Sequence, residues 1–208
     1  MKKKARQIDP HKTPGRISIV LSLIVRVYAF FKRAFNGAKV IKCNRIPRPP
    51  YLLISSHMSW MDFYDAIGAN SWHRPYWVAT IEEFTNKHFL MRSFGIFPKR
   101  RYDHDMQSVN VMMDILKKRK KILIMYPEAA FSFVGQPQRI EKGLGKFVKM
   151  CDVPVVFLNC HGNYLRQPFW SDLKKRRFRP MIAEMKTIVS RGQVRANSAE
   201  DIQALKEM

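Results

Sequence analysis

The chain has 208 residues, of which 46% are hydrophobic, and its 38 Lys and Arg against 16 Asp and Glu give a formal net charge of +22. This length suits one α/β domain or two small ones, and this apolar content supports a sizeable core. A large multidomain enzyme and a wholly disordered chain are therefore excluded. The charge predicts a polyanionic partner: nucleic acid, an anionic membrane surface or a phosphorylated substrate.

The basic residues are concentrated near the N-terminus. Residues 1–48 contain 13 Lys and Arg and a single acidic residue, so more than half of the net charge lies in under a quarter of the chain. Within this region the pattern predicts a helix over residues 17–31, on which Ser18, Ser22 and Arg26 form one narrow polar stripe. A helix of this length spans roughly 22 Å, less than the roughly 30 Å hydrocarbon core of a bilayer. A charged residue near its middle argues further against a membrane-spanning helix.

Two interpretations of this helix remain. In the first, it lies in one leaflet of a membrane while the flanking Lys and Arg contact anionic headgroups. In the second, it packs on the domain with its polar stripe facing water. The first is favoured because the second gives the basic flanks no role. We therefore predict a basic membrane-associating segment at residues 1–37, a domain at residues 38–208, and peripheral or monotopic attachment to the cytoplasmic face of the cell membrane.

Short apolar runs alternate with helical stretches after residue 50. Strands are predicted at residues 51–54, 95–97, 121–126 and 153–158. Helices are predicted from a capping box at Thr80 to Arg92, from Asp103 to Lys118, and over residues 142–150. This alternation predicts an α/β fold with a mostly parallel central sheet flanked by helices, and places the chemistry at the carboxyl ends of the strands.

His57 and Asp62 follow the first of these strands. On one continuous helix, side chains five residues apart diverge by roughly 140° and cannot touch. If His57 lies in the strand-to-helix turn and Asp62 in the first helical turn, the carboxylate can fold back to the imidazole. A carboxylate placed there fixes the tautomer of the ring, which can then remove a proton from a substrate hydroxyl. The spacing alone is a weak signal, and its position after a buried strand strengthens it.

Polar residues also follow the second and third predicted strands. Lys99, Arg100 and Arg101 could bind phosphate oxygens, or could form a solvated turn. Glu128 places an acid directly after a buried run, where a helix-capping role or a structural salt bridge is the alternative.

In series, these segments resemble the motif blocks of the glycerophospholipid acyltransferase superfamily, most closely those of bacterial 1-acyl-sn-glycerol-3-phosphate (lysophosphatidic acid) acyltransferases. The resemblance covers roughly residues 38–160. Its blocks are H-x-S-x-x-D at 57–62, G-x-F-x-x-R at 95–100, the start and end of F-P-E-G-T-R-S at 126–132, K-G at 142–143 and V-P-V at 153–155. No single block is decisive, but five in the right order make coincidence an inadequate explanation.

The resemblance implies transfer of an acyl group from a thioester, acyl-CoA or acyl carrier protein, to a lysophospholipid hydroxyl at a membrane surface. It assigns His57 as the general base, Asp62 as its orienting partner, Arg100 as a contact to the acceptor phosphate, and Glu128 as a residue that binds or supports. No cofactor beyond the acyl donor is implied. A metal site is not predicted either, because the histidines at 57, 73, 88 and 104 are fifteen or sixteen residues apart with no H-x-x-H pair.

The sequence departs from the family pattern in the third block. Ala129, Ala130 and Phe131 stand where the pattern has Gly-Thr-Arg. Loss of that arginine removes a charge-assisted contact typically worth about 1.5–3 kcal/mol. Either Arg101 or Arg139 contacts the phosphate instead, or the acceptor differs from lysophosphatidic acid. A smaller departure is Ser56, where the family often has an Asn before the histidine.

Two other classes of function are retained. A basic nucleic-acid-binding protein explains the charge and the basic runs at 117–121 and 174–177, but leaves the apolar helix unexplained and shows no nucleic-acid motif. An inactive, lipid-binding relative of the acyltransferases would explain the altered third block. The favoured prediction has three partners: an anionic membrane surface, a lysophospholipid acceptor and an acyl-CoA or acyl carrier protein donor. Nucleic acid is not expected among them.

Overall fold

The computed structural model describes residues 14–35, 37–70, 73–81, 88–99, 106–136, 140, 143–166 and 182–189. The helices of this part of the chain are α1 (Ile19–Phe35), α2 (Met61–Ala69), α3 (His88–Ser93), α4 (Met106–Met113, continued by a π-helical turn Asp114–Lys118), α5 (Leu144–Cys151) and α6 (Asn163–Arg166). The strands are β1 (Lys39–Lys42), β2 (Leu52–Ser55), β3 (Tyr76–Thr80), β4 (Ile96–Lys99), β5 (Leu123–Met125), β6 (Val155–His161) and β7 (Ile182–Val189).

These strands form one seven-stranded sheet in the order β1-β7-β6-β2-β5-β3-β4. Every neighbouring pair is parallel except β6 and β7. β2 lies in the interior of the sheet, where Leu53 is in register with Val156 of β6 and with Ile124 of β5. The predicted fold class, a mostly parallel sheet flanked by helices, is confirmed.

Alternating side chains of the central strands form two cores, one on each face of the sheet. Leu52 and Ile54 pack on one face with buried residues of α4 and α5. Leu53 packs on the other face with Ala29 of α1 and Ala66 of α2. Strands covered on both faces are almost entirely apolar, which explains the continuous apolar runs of β2 and β6. The sheet therefore separates α1 and α2, which pack on one face, from α4 and α5, which pack on the other.

The polar side of α1 faces the protein. Ser22 and Ala29 are buried, and the guanidinium of Arg26 donates a hydrogen bond to the carbonyl oxygen of His73. The exposed side is apolar apart from Lys32, and its large side chains are Ile19, Val20, Leu23, Ile24, Val27, Tyr28, Phe30, Phe31 and Phe35. The helix does pack on the domain, as the second interpretation has it, but the direction that this interpretation gives to the polar stripe is wrong. Among the described helices, none combines the length and the apolar character needed to cross a bilayer.

Several predicted boundaries differ from the structure. Thr80 is the last residue of β3, and the described part of the helix predicted from it is α3, which begins at His88; residues 82–87 lie outside the described ranges. Strands β1, β3 and β7 were not predicted. The four predicted strands correspond to β2, β4, β5 and β6, with ends displaced by one to three residues. The division of the chain at residue 37 stays a prediction.

The second motif block has a clear structural basis. Gly95 adopts φ +88°, and a Cβ at this position would lie 2.7 Å from the side chain of Ile17 and 3.3 Å from the carbonyl oxygen of Pro75. Only glycine combines this left-handed backbone with so close an approach. Phe97, two residues later, is 1% exposed and belongs to the core of the sheet. The block therefore fixes the turn that leads into β4.

Candidate active site

The loop after β2 holds His57 between β6 and the loop after β5. The N–H of Ser56 donates to the carbonyl oxygen of Leu158 over 3.1 Å, and the Ser56 hydroxyl oxygen accepts the Cys160 N–H over 3.0 Å. On the other side, the carbonyl oxygen of His57 accepts the N–H of Ser132 over 2.9 Å. Serine at position 56, where the family often has Asn, thus ties this loop to β6.

Asp62 lies in the first turn of α2, and its carboxylate folds back towards the preceding loop. Its Oδ2 atom accepts the backbone N–H of Met58 and, over 2.9 Å, that of Ser59. The same oxygen lies 3.8 Å from Nδ1 of His57, and the Asp62 side chain is fully buried. Backbone N–H groups bonded to a carboxylate fix its position, so the side of His57 that carries Nδ1 faces a fixed anion.

Two aromatic rings cover the imidazole of His57. The Tyr126 ring is stacked on it with 4.1 Å between centroids, and the Phe131 ring lies 3.8 Å away at an interplanar angle of 32°. If both rings lay on the same face of the imidazole at these distances and angles, they would overlap each other. Tyr126 and Phe131 therefore cover opposite faces of the His57 ring. Nδ1 is buried and has no hydrogen-bond partner within the described residues, while the side chain retains 17% exposure. Nε2, the other ring nitrogen, is therefore the candidate for contact with a substrate.

Asn163 and Asp65 also belong to this cluster, although the sequence did not identify Asn163. The side-chain Nδ2 of Asn163 donates over 2.7 Å to Oδ1 of Asp62 and over 2.8 Å to Oδ2 of Asp65. Burial raises the pKa of Asp65, and the hydrogen bond from Asn163 and the charge of Arg33 act in the opposite direction. Asn163 is the first residue of α6, one residue beyond the end of β6. The rule that carboxyl ends of parallel strands meet at one edge could have identified it.

Two of the other predicted site residues, Glu128 and Lys99, lie at the same edge of the sheet. Glu128 is buried in the turn after β5, the strand beside β2. Its neighbour Ala129 has φ +55°, a backbone that favours the glycine found there in the family pattern. Lys99 ends β4, three strands from β2, and at about 4.8 Å per strand this is about 14 Å across the sheet. Arg100, Arg101 and Arg139 lie outside the described residues.

No thiol in this cluster is suited to act as a nucleophile. Cys160 is buried, and burial raises the pKa of its thiol well above the ordinary value, with the charges of Asp62 and Asp65 acting in the same direction. A thiol without thiolate character is inert. Within the described ranges, no three His, Cys, Asp or Glu side chains are grouped as metal ligands would be.

An α/β sheet with polar residues gathered at the carboxyl ends of its parallel strands is an arrangement common to many enzymes. A model of the family described as Acyltransferase matches residues 37–160, more than half of the chain. The chain therefore belongs to the Acyltransferase family, the glycerophospholipid acyltransferase superfamily that the motif blocks indicate, and the protein is an acyltransferase.

The fold is similar to that of a solved relative. The crystal structure of the 1-acyl-sn-glycerophosphate (LPA) acyltransferase PlsC from Thermotoga maritima matches with a TM-score of 0.64 and 16% sequence identity. The match covers 89% of this chain and 75% of that chain. At this identity the similarity shows the fold alone. No curated protein has significant sequence similarity to the chain.

Proposed function

We propose that the protein transfers a fatty acyl group from acyl-CoA or acyl carrier protein to the free hydroxyl of a lysophospholipid, with 1-acyl-glycerol-3-phosphate as the acceptor, in phospholipid biosynthesis. The observation that carries this proposal is the position of His57 in an acyltransferase domain. Its Nδ1 lies 3.8 Å from the buried Asp62 carboxylate, which leaves Nε2 for a substrate. Apo structures commonly show such a pair slightly longer than a hydrogen bond, and substrate binding shortens it.

In the proposed reaction, Nε2 of His57 removes the proton of the acceptor hydroxyl as its oxygen attacks the thioester carbonyl carbon. The negative charge of Asp62 stabilises the imidazolium that forms. Backbone N–H groups at the strand ends stabilise the tetrahedral oxyanion. Collapse of this intermediate breaks the C–S bond, and the leaving thiolate receives the proton from His57. The products are the ester and a free thiol, and no covalent acyl-enzyme is required.

The phosphate of the acceptor would be bound away from Phe131. Its ring stacks on His57 and also lies 5.0 Å from the ring of Trp60, so this position contributes an apolar surface rather than a cation. Lys99 at the end of β4 brings a positive charge to this edge, and Arg100 and Arg101 follow it in the sequence. An acceptor bound there would extend across β5 and β3, which suits a lysophospholipid better than a small alcohol.

An acceptor screen tests the proposal. Purified protein on anionic vesicles is given acyl-CoA or acyl carrier protein with three acceptors of equal acyl chain: 1-acyl-glycerol-3-phosphate, a lysophospholipid with a phosphodiester headgroup, and monoacylglycerol. Charge-assisted contacts to a phosphate monoester should favour the first acceptor by at least about tenfold in kcat/KM. Product formation is followed by thiol release and lipid mass spectrometry.

Each other outcome of the screen has a definite meaning. Equal use of the three acceptors contradicts binding of a phosphate monoester. Preference for monoacylglycerol shows that Phe131 has replaced phosphate recognition with apolar contacts. Failure of every donor and acceptor pair supports the inactive lipid-binding relative. Salt-sensitive binding to duplex DNA without binding to vesicles supports the nucleic-acid alternative.

The exposed apolar side of α1 is proposed to bind the membrane. Leu23 and Phe30 are among its most exposed side chains. Insertion of each into a bilayer should contribute about 1.5–3 kcal/mol. The double substitution Leu23→Glu/Phe30→Glu is therefore expected to weaken binding to anionic vesicles by at least about a hundredfold, measured by sedimentation. The protein is thereby proposed to be peripheral or monotopic, and the cytoplasmic face of the cell membrane is proposed as its location.

A matched control lies on the other side of the sheet. Met106 of α4 and Met150 of α5 are exposed, and those helices pack on the face opposite α1. Met106→Glu/Met150→Glu changes the net charge by the same amount and is expected to leave vesicle binding within about threefold of the parent chain, since surface substitutions away from an interface usually have small effects. Equal weakening by both pairs would show that net charge, not the apolar side of α1, determines attachment.

A further inference from the structure

A chain of buried polar contacts connects α1 to His57. Nε of Arg33, in the last turn of α1, lies 3.3 Å from Oδ1 of Asp65. Asn163 joins Oδ2 of Asp65 to Oδ1 of Asp62 through its single amide nitrogen, and Oδ2 of Asp62 faces Nδ1 of His57. Asp62, Asp65 and Asn163 are each at most 1% exposed. Arg33, at the end of this series of contacts opposite His57, thus belongs to α1, whose other side is apolar and exposed.

The chemistry of these contacts determines which way the Asn163 amide points. An ionised carboxylate only accepts hydrogen bonds, so two of them side by side require the amide nitrogen between them. If Asp65 were protonated, its O–H would be a hydrogen-bond donor towards Asn163, and the amide nitrogen would no longer have to lie between the two side chains. Arg33 opposes that protonation, because a cation beside a buried carboxylate favours its charged form. With Arg33 in place, Asn163 therefore directs one N–H to Asp62.

Gly68 of α2 makes room for this cation. A Cβ on Gly68 would lie 2.1 Å from a guanidinium nitrogen of Arg33 and 2.6 Å from its Nε. Glycine in a helix interior costs roughly 1 kcal/mol relative to alanine. Its position against the head of Arg33 gives this glycine a packing role, because a methyl group here would require the guanidinium to move.

We propose that Arg33, Asp65 and Asn163 form a positioning network that holds the Asp62 carboxylate against His57, so that α1 is part of the active site as well as the surface that meets the membrane. The proposal rests on the proposed function for its catalytic consequence. The three residues do not touch substrate; they act through Asp62. Loss of the network lets Asp62 move from His57 and leaves the imidazolium less stabilised, which lowers kcat and leaves KM nearly unchanged.

Two substitutions disturb the network in different ways. Arg33→Gln removes the cation. Gly68→Ala keeps the Arg33 cation but displaces it from Asp65. Because alanine has a higher helix propensity than glycine, this substitution favours α2 itself. Both are expected to lower kcat by at least about tenfold at saturating vesicle surface, the size of effect typical of a lost hydrogen bond to a charged group. Arg33→Lys, which keeps the charge, is expected to recover part of the loss.

Lys32 provides the matched comparison. It lies beside Arg33 in the same turn of α1 and is exposed. Lys32→Gln removes the same charge from the same helix, so it reproduces any weakening of vesicle binding that Arg33→Gln causes through charge alone. We expect kcat of Arg33→Gln to be at least tenfold below that of Lys32→Gln, with equal vesicle binding.

A spectroscopic measurement tests the network without turnover. The amide protons of Met58 and Ser59 donate to Asp62, so their NMR chemical shifts report the position of this carboxylate. They are expected to move in Arg33→Gln and Gly68→Ala and to stay fixed in Lys32→Gln. Unmoved shifts overturn the network, as does a kcat of Arg33→Gln equal to that of Lys32→Gln. If the parent chain transfers no acyl group, the proposed function fails, and the amide shifts alone decide whether the network exists.

Discussion

Replacement of His57 by Ala is expected to lower kcat/KM for acyl transfer by about a thousandfold, within the range of 10² to 10⁴ that general bases supply. An alcohol is a weak nucleophile at neutral pH, and the reaction depends on a base that removes its proton as it attacks. His57 is the one imidazole that the described residues place beside a fully buried carboxylate. The measurement is the initial rate of thiol release on vesicles, confirmed by detection of the acylated product.

His161→Ala is the matched control for this substitution. The imidazole of His161 is exposed at the end of β6 and lies 3.2 Å from the carboxylate of Glu184. Exposed ion pairs contribute little to stability, so this variant is expected to retain activity within about twofold. Thermal unfolding of both variants checks that they remain folded, since removal of a ring packed between Tyr126 and Phe131 also costs stability. Acyl transfer by folded His57→Ala at the parent rate would exclude His57 as the base.

The central part of the fold could be predicted because the relevant signals are local. Strands β2, β5 and β6 are covered on both faces, and each therefore appears in the sequence as a continuous apolar run. The spacing of His57 and Asp62 likewise depends on one turn between a strand and a helix, and the structure has Asp62 in the first turn of α2 with its carboxylate folded back. The proposed roles of these residues remain predictions, although their proximity is a structural fact.

Two of the missed strands, β1 and β7, lacked such a signal. β1 is Lys39–Lys42, four residues of which only two are apolar, and it pairs with β7, whose sequence includes the exposed Glu184 and Lys186. Edge strands such as β1 obtain their order from the neighbouring strand, which here is more than 130 residues away in the chain. Their propensity alone is too weak to identify them.

The direction of the α1 stripe also required the structure. A stripe of Ser and Arg on an apolar helix is normally assigned to water, yet here Ser22 is buried and Arg26 bonds to the backbone of His73. The contact between Arg33 and Asp65 follows the same side of the helix, and no local pattern predicts it because 32 residues separate the partners. Asn163 is 101 residues from Asp62. Contacts of this separation depend on the completed sheet.

Asp62→Asn is expected to lower kcat by about 10³ to 10⁴, the magnitude associated with loss of the tautomer and charge that a carboxylate imposes on a catalytic histidine. Both oxygens of Asp62 accept hydrogen bonds, Oδ2 from two backbone N–H groups and Oδ1 from Asn163. An amide can offer its oxygen to only one of these sides. Its nitrogen then faces another donor, so the free energy of unfolding should also fall, by about 1–3 kcal/mol.

Asp114→Asn is the matched control for Asp62→Asn, because it removes the charge of a carboxylate that lies away from His57. Asp114 lies on the π-helical turn after α4, where it bonds to Arg119 over 2.8 Å and is partly exposed. This variant is expected to retain activity within about twofold, and kcat and thermal unfolding are measured for both. If Asp62→Asn had the same kcat as the parent chain, the Asp62 carboxylate would support the fold and would have no role in the action of His57 as the base.

The double variant His57→Ala/Asp62→Asn tests whether the two residues act on the same proton. If Asp62 works only through the imidazole, its substitution has nothing further to remove once His57 is absent, and the double variant should be as slow as His57→Ala alone. Losses that multiply would instead mean that Asp62 acts independently of the imidazole, for example by holding the Met58–Ser59 backbone where the oxyanion forms. The assay is the same thiol release, with the folded fraction of each variant measured first, so that a loss of stability does not count as a loss of coupling.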